Sequence, residues 1–182
     1  MNNKIETLSE LKTKWRLEKY SSLFIIYSFI GWIIEVTWIL FFFKKFVNSG
    51  FLSLPLIPIY GFGAVLISMM FKEKDNIVLI ALGGGLIATI LELVSSYLLE
   101  FIFVRNFWSY SDFKYNFDGR ISLITSLLFC IGSVLIVKIL NPIIETKMRR
   151  YKYKSKLEVI IIIVLTLIII DFIYNSYIIL KK

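Results

Sequence analysis

Glu35, Glu92 and Asp171 are carboxylates set inside long apolar runs, with Tyr60 and Arg120 as candidate hydrogen-bonding partners. An ionisable side chain at membrane depth costs about 2.5 to 3.5 kcal/mol on insertion scales, so each is a functional candidate by default and should face protein or a water-filled cavity. Two carboxylates brought together favour a bound cation or a shared proton, because like charges oppose each other's ionisation. With Arg120 holding an anionic group, Glu35 or Glu92 could instead act as a general base toward a lipid or envelope substrate. The chain has no histidine, which excludes Ser-His triads and His metal ligation. No catalytic residue, metal ligand or cofactor is assigned. Asp171 carries two readings, a member of the carboxylate layer or a residue reaching the outer interface.

The elements that must position these groups are membrane helices. Of 182 residues 58% are hydrophobic, and the mean hydropathy is +0.77, well above that of ordinary soluble domains. The expected fold is all-α, a polytopic bundle of five transmembrane helices over about 23–43, 54–71, 77–103, 121–140 and 157–180. Residues 1–20 read as a short amphipathic cytoplasmic segment with Leu8, Leu11, Trp15 and Leu17 on its apolar side, and 21–182 as one transmembrane domain. Asn141-Pro142 is expected to close the fourth span, and Pro55 to open the second.

The net charge is +8. With the N-terminus inside, thirteen basic residues fall on inner segments and seven on outer ones, the bias expected for cytoplasmic faces; Lys138 snorkels at the inner end of span four. No aromatic-basic pattern accompanies the charge, so no nucleic-acid partner is expected; the partner is the lipid bilayer. Cys130 is the single cysteine, so no intramolecular disulfide forms.

Depth follows from orientation. At 1.5 Å per residue Glu35 lies roughly 18 Å from the inner boundary, Asp171 about 21 Å and Glu92 about 22 Å, with Tyr60 at a similar level. Tyr27, Gly31, Glu35 and Trp38 share one face of the first span, and Gly85, Thr89, Glu92 and Ser96 one face of the third. Small residues on such stripes are packing contacts first. Between the first two spans, Phe46 to Gly63 concentrates glycines, prolines and Asn48 in a structured outer loop that re-enters the membrane. The second outer loop, Arg105 to Arg120, holds Trp108, Asn116 and Asp118; Trp108 fits an interfacial belt, Asp118 can cap span four, and Arg120 can turn toward the carboxylates. The ligand-binding set is therefore Glu35, Tyr60, Glu92, Arg120, Asn48, Trp108, Asp118 and Asn116.

Several of these residues sit in recognisable runs: Gly31-Trp32-Ile33-Ile34-Glu35, Asn48-Ser49-Gly50-Phe51-Leu52, Pro55-Leu56-Ile57-Pro58-Ile59-Tyr60-Gly61-Phe62-Gly63, Leu91-Glu92, Trp108-Ser109-Tyr110-Ser111 and Asn116-Phe117-Asp118-Gly119-Arg120-Ile121. Over about Phe24 to Pro142 the chain resembles the type IV ABC-transporter membrane proteins, a bacterial family of CmpB-like permeases. Ser49 stands where that family usually has Arg, and Ser109 where it usually has Asp. The resemblance implies a multi-pass permease of the bacterial cell membrane, with a separate ATPase subunit and a homo-oligomer as possible partners. Gly83-Gly84-Gly85 is followed by Leu86 rather than Lys-Ser, so the chain has no P-loop of its own. The first functional reading is a permease-like protein whose outward-facing polar cavity binds a small ligand or lipid head group. The alternatives are a non-catalytic assembly or regulatory membrane protein, and a lipid- or envelope-modifying enzyme.

Overall fold

Helix α1 runs unbroken from Asn2 to Phe43, 42 residues, because no glycine or proline interrupts it before Gly31 and good helix formers dominate its first half. The computed structural model describes residues 2–151 and 155–181, with side chains over 10–150 and 156–181. Leu8 of the amphipathic face, and Lys4, Lys152, Lys154 and Lys182 of the charge asymmetry, lie outside the described side chains. The amphipathic segment and the first span are thus one rod. Its N-terminal half is braced by Lys14–Glu158 at 2.7 Å, Lys19–Glu145 at 2.6 Å and Arg149 stacked over Trp15.

Next come α2 (Pro58–Met70) and α3 (Ile77–Phe103), a two-residue hairpin of β1 (Asn116–Phe117) and β2 (Ile121–Ser122), and α4 (Leu123–Leu135). A π-turn over Ile136–Leu140 leads into α5 (Asn141–Tyr151), and α6 (Ser155–Leu180) completes the chain. Among the described residues four helical stretches are long and apolar enough to cross a membrane: Glu10–Phe43, Ile77–Phe103, Leu123–Arg150 and Lys156–Leu180. With almost no strand, this is an all-α membrane architecture. The second apolar helix, α2, has 13 residues and rises only about 20 Å, short of the ~30 Å hydrocarbon core.

Two boundaries differ from expectation. The second span was expected from Leu54, but the chain bends through Ser53–Pro55 and the helix opens at Pro58. A residue before proline is pushed out of the helical region, and Ile57 is extended at φ −117°, ψ 98°. The fourth span does not stop at Asn141-Pro142. There the Asn141 N–H bonds the Ile136 carbonyl, and this widened turn accommodates the proline ring so that the helix continues into α5.

The non-helical stretch between α1 and α2 runs back alongside α1. Trp32 Nε1 donates to Asn48 Oδ1 at 2.6 Å, and the Ile57 N–H donates to the Ser28 carbonyl at 3.0 Å. Leu52 and Leu56 are buried against Ile168 of α6. Backbone polar groups at this depth need partners within the protein. Asp171 Oδ2 accepts from the Leu54 N–H at 2.9 Å, and Asn48 Nδ2 donates to the Ser53 carbonyl at 2.9 Å.

Small residues set the close helix contacts. A Cβ on Gly31 would lie 2.5 Å from Cδ2 of the Tyr60 ring, and one on Gly84 would lie 2.5 Å from the Ser133 Cβ, so α1–α2 and α3–α4 approach backbone to side chain. A buried polar chain ties α1, α2 and α5 together. Tyr27 OH donates to Asn141 Oδ1 at 2.9 Å, Asn141 Nδ2 donates to Ser68 Oγ at 2.8 Å, and Ser68 Oγ donates to the Ala64 carbonyl at 2.6 Å. Lys138 Nζ donates to the carbonyls of Glu73 and Asp75, at 2.5 and 2.6 Å, fixing the turn between α2 and α3.

Candidate functional site

Glu35 projects from α1 on the Tyr27–Gly31 face. Because Gly31 has no side chain, the Tyr60 ring of α2 lies against α1, and its hydroxyl donates to Glu35 Oε1 at 2.7 Å. On α3, Glu92 is only 7% exposed. Its Oε1 accepts from the Tyr110 hydroxyl at 2.7 Å, while Oε2 is enclosed without a hydrogen-bond partner. The two pairs lie close enough for each tyrosine to feel both carboxylates, and for Glu92 to feel Glu35. They form one cluster built from α1, α2, α3 and the loop that follows α3.

Tyr110 comes from that loop, which carries it inward. Its N–H donates to the Gly119 carbonyl at 2.7 Å. Burial pushes its hydroxyl above the ordinary phenol range and the neighbouring Glu92 adds to the shift, so the group stays protonated and remains a donor. Thr89 extends the polar face of α3, its Oγ1 donating to Ser126 Oγ of α4 at 3.0 Å.

Arg120 does not turn toward Glu35 or Glu92. It pairs with Glu100, donates to Asp118 Oδ2 at 3.0 Å and to Ser96 Oγ at 3.0 Å, and lies 3.9 Å over the Tyr97 ring. Hydrogen bonding to Glu100, then to Asp118, raises its affinity for its proton further. Two carboxylates within reach of the α3–loop junction hold the guanidinium there. Asp118 is therefore Arg120's partner rather than the cap of span four. Ser122 caps α4, its hydroxyl accepting from the Thr125 N–H.

The other candidates shape the two loops. Asn116 Oδ1 accepts from the Gly119 N–H at 2.9 Å and its Nδ2 donates to the Phe113 carbonyl at 2.6 Å, closing the hairpin turn. Trp108 Nε1 donates to the Arg120 carbonyl at 3.1 Å. Asn48 holds the returning segment against Trp32. Asp171 stands apart from the cluster, bound to Leu54 and Asn175. Equal counting along separate helices placed it at the depth of Glu35, but α6 is offset along α1, with Ile168 packed near Phe24 and Ile25. Ser109 pairs with Ser111 inside its own loop at 2.8 Å.

Tyr110 and Glu100 are the residues that sequence reasoning missed. Glu100 continues the Glu92–Ser96 face by one more turn, a signal that was available. Tyr110 is submerged among the loop's many aromatics, and nothing in its spacing singles it out. Among the described residues no group of three or more His, Cys, Asp or Glu side chains is placed to hold a metal ion.

A multi-pass helical bundle with an acidic, tyrosine-capped cluster in its interior defines a polytopic membrane protein. A family model described as "Putative ABC-transporter type IV" matches residues 22–176, and the chain belongs to that family. No curated protein and no solved structure matches it. The match extends the resemblance beyond Pro142 to take in most of α6.

Proposed function

We propose that the protein is a permease-like component of a bacterial cell-membrane transporter that binds a small ligand or lipid head group at the Glu35–Tyr60–Glu92–Tyr110 cluster. In this reading the cluster opens outward, and the chain crosses the membrane five times from an inner N-terminus. Residues 1–20 are the cytoplasmic segment and 21–182 the transmembrane domain. A separate ATPase subunit supplies the energy, and a second copy of the chain completes the pathway. Asn48, Trp108, Asn116, Asp118 and Arg120 serve the site by shaping the loops around it.

The observation that carries the reading is Glu92: a carboxylate almost wholly enclosed, with one oxygen unpartnered, within electrostatic reach of a second carboxylate. Such an arrangement is costly in a bundle that only needs packing and is suited to a positively charged ligand. The test is calorimetric titration of the detergent-purified protein with alkali cations and small amines. Binding lost in Glu35→Gln and Glu92→Gln, with helical circular dichroism retained, supports the reading; binding that survives both changes overturns it. Co-purification in mild detergent tests for the ATPase.

The assembly-protein alternative draws on the Tyr27–Asn141–Ser68 chain, whose donors and acceptors satisfy one another as in a register-fixing network. Charge-neutral replacements that alter oligomer formation and leave ligand binding untouched would favour it.

A further inference from the structure

We infer that the cluster recognises a primary ammonium group, an inference that rests on the ligand-binding reading above and narrows it to one chemistry. A tyrosine hydroxyl has one proton to donate. Tyr60 spends its proton on Glu35, and Tyr110 spends its proton on Glu92. With both carboxyls ionised, what the four side chains then offer a ligand is acceptor capacity alone: carboxylate oxygens and phenol lone pairs. Glu92 Oε2 is the clearest such acceptor, since it is enclosed and has no partner.

An acceptor-only site calls for a donor-only ligand. The –NH3⁺ group has three donors and no acceptor, and its charge opposes that of the carboxylates. Among the described residues the ion pairs engage Lys14, Lys19 and Arg120 with carboxylates other than Glu35 and Glu92. The nearby guanidinium of Arg120 is held by Glu100 and Asp118, so it does not fill the role itself. Calcium and magnesium fit less well, because they take six or more oxygens, chiefly carboxylates, carbonyls and waters. Here the two hydrogen-bonded pairs supply two carboxylates and two phenols, and phenol is not among those usual ligands. The same ammonium chemistry occurs on a soluble amine and on an ethanolamine phospholipid.

The experiment compares ammonium, methylammonium and potassium chlorides as ligands of the full chain in detergent at neutral pH, read by calorimetry and by thermal unfolding. Ammonium and potassium ions are close in size and equal in charge, and differ in having N–H donors. Ammonium and methylammonium are expected to bind at least ~tenfold more tightly than potassium, since several charge-assisted hydrogen bonds separate them. Glu92→Gln should remove that preference. Should Glu92→Gln fail to fold, Tyr110→Phe serves, and should weaken methylammonium binding while leaving the helical signal intact.

Equal binding of potassium and ammonium would overturn the donor argument and leave the cation-site reading standing. No binding of any of the three would remove both. In nanodiscs, weaker apparent methylammonium binding in phosphatidylethanolamine than in phosphatidylcholine would identify the lipid head group as the competing occupant. Equal binding in both lipids, with the preference over potassium kept, would identify a soluble amine.

Discussion

Glycine at position 31 and tyrosine at position 60 form one device. The missing side chain admits the ring, and the ring brings its hydroxyl to Glu35. Gly31→Ala should therefore destabilise the protein by about 1 to 3 kcal/mol through overpacking, measured as a lowered unfolding midpoint in detergent. In a Tyr60→Gly background the same change should cost much less, since all three atoms it strikes, Cβ included, are gone; equal costs in both backgrounds would separate the two residues. A second prediction concerns the inner polar chain. Asn141→Ala leaves the Tyr27 hydroxyl buried without its partner, at about 1 to 3 kcal/mol, while the Ser68 hydroxyl keeps its bond to the Ala64 carbonyl. Unfolding of Asn141→Ala, with Tyr27→Phe/Asn141→Ala alongside, should show the double variant recovering part of the loss.

Elements differ in how plainly the chain announces them. The third helix was legible to the residue because Asn76 caps its start, accepting from the Val78 N–H, and an uninterrupted apolar run follows. The second was misjudged at its start. Leu54, Leu56 and Ile57 are as apolar as the helix they precede, and hydropathy does not record that two prolines keep them out of it. Pro142 was read as a stop because local propensity favours one; a widened turn, stabilised by packing around Val137, overrode it. The carboxylates were legible as polar residues in apolar helices, but which of them meet depended on helix offsets that no count along the chain contains. Hence Glu35 and Glu92 share a cluster while Asp171 serves the returning segment. Asp171→Ala should free the Leu54 N–H, costing about 1 to 3 kcal/mol. Hydrogen exchange should quicken over residues 50–57 and stay unchanged over α3. Uniform quickening across the bundle would show that Asp171 supports the whole fold instead.

At the scale of the whole molecule the number of crossings turns on α2. Four stretches among the described residues have the length and apolarity to cross, and an even number would leave both termini on one side. Yet α2 does not act alone. The stretch of 45–57 before it runs back beside α1 with its backbone bonded to Ser28 and Asp171, so extended chain and short helix together can cover the thickness that α2 alone does not. Irregular backbone at membrane depth is tolerated where protein surrounds it, and here α1 and α6 do so. With such a crossing and an inner N-terminus, the turn pinned by Lys138 at the far end of α2 would lie on the inner side with Lys72 and Lys74, in keeping with the basic bias toward that face. Reporter fusions should accordingly place the N-terminus and the C-terminus on opposite sides, with residue 74 on the same side as the N-terminus and residue 114 on the other. If both termini report from one side, α2 and the segment before it form a re-entrant hairpin instead of a crossing, and Lys72 to Asn76 would then share the compartment of Lys44 and Lys45.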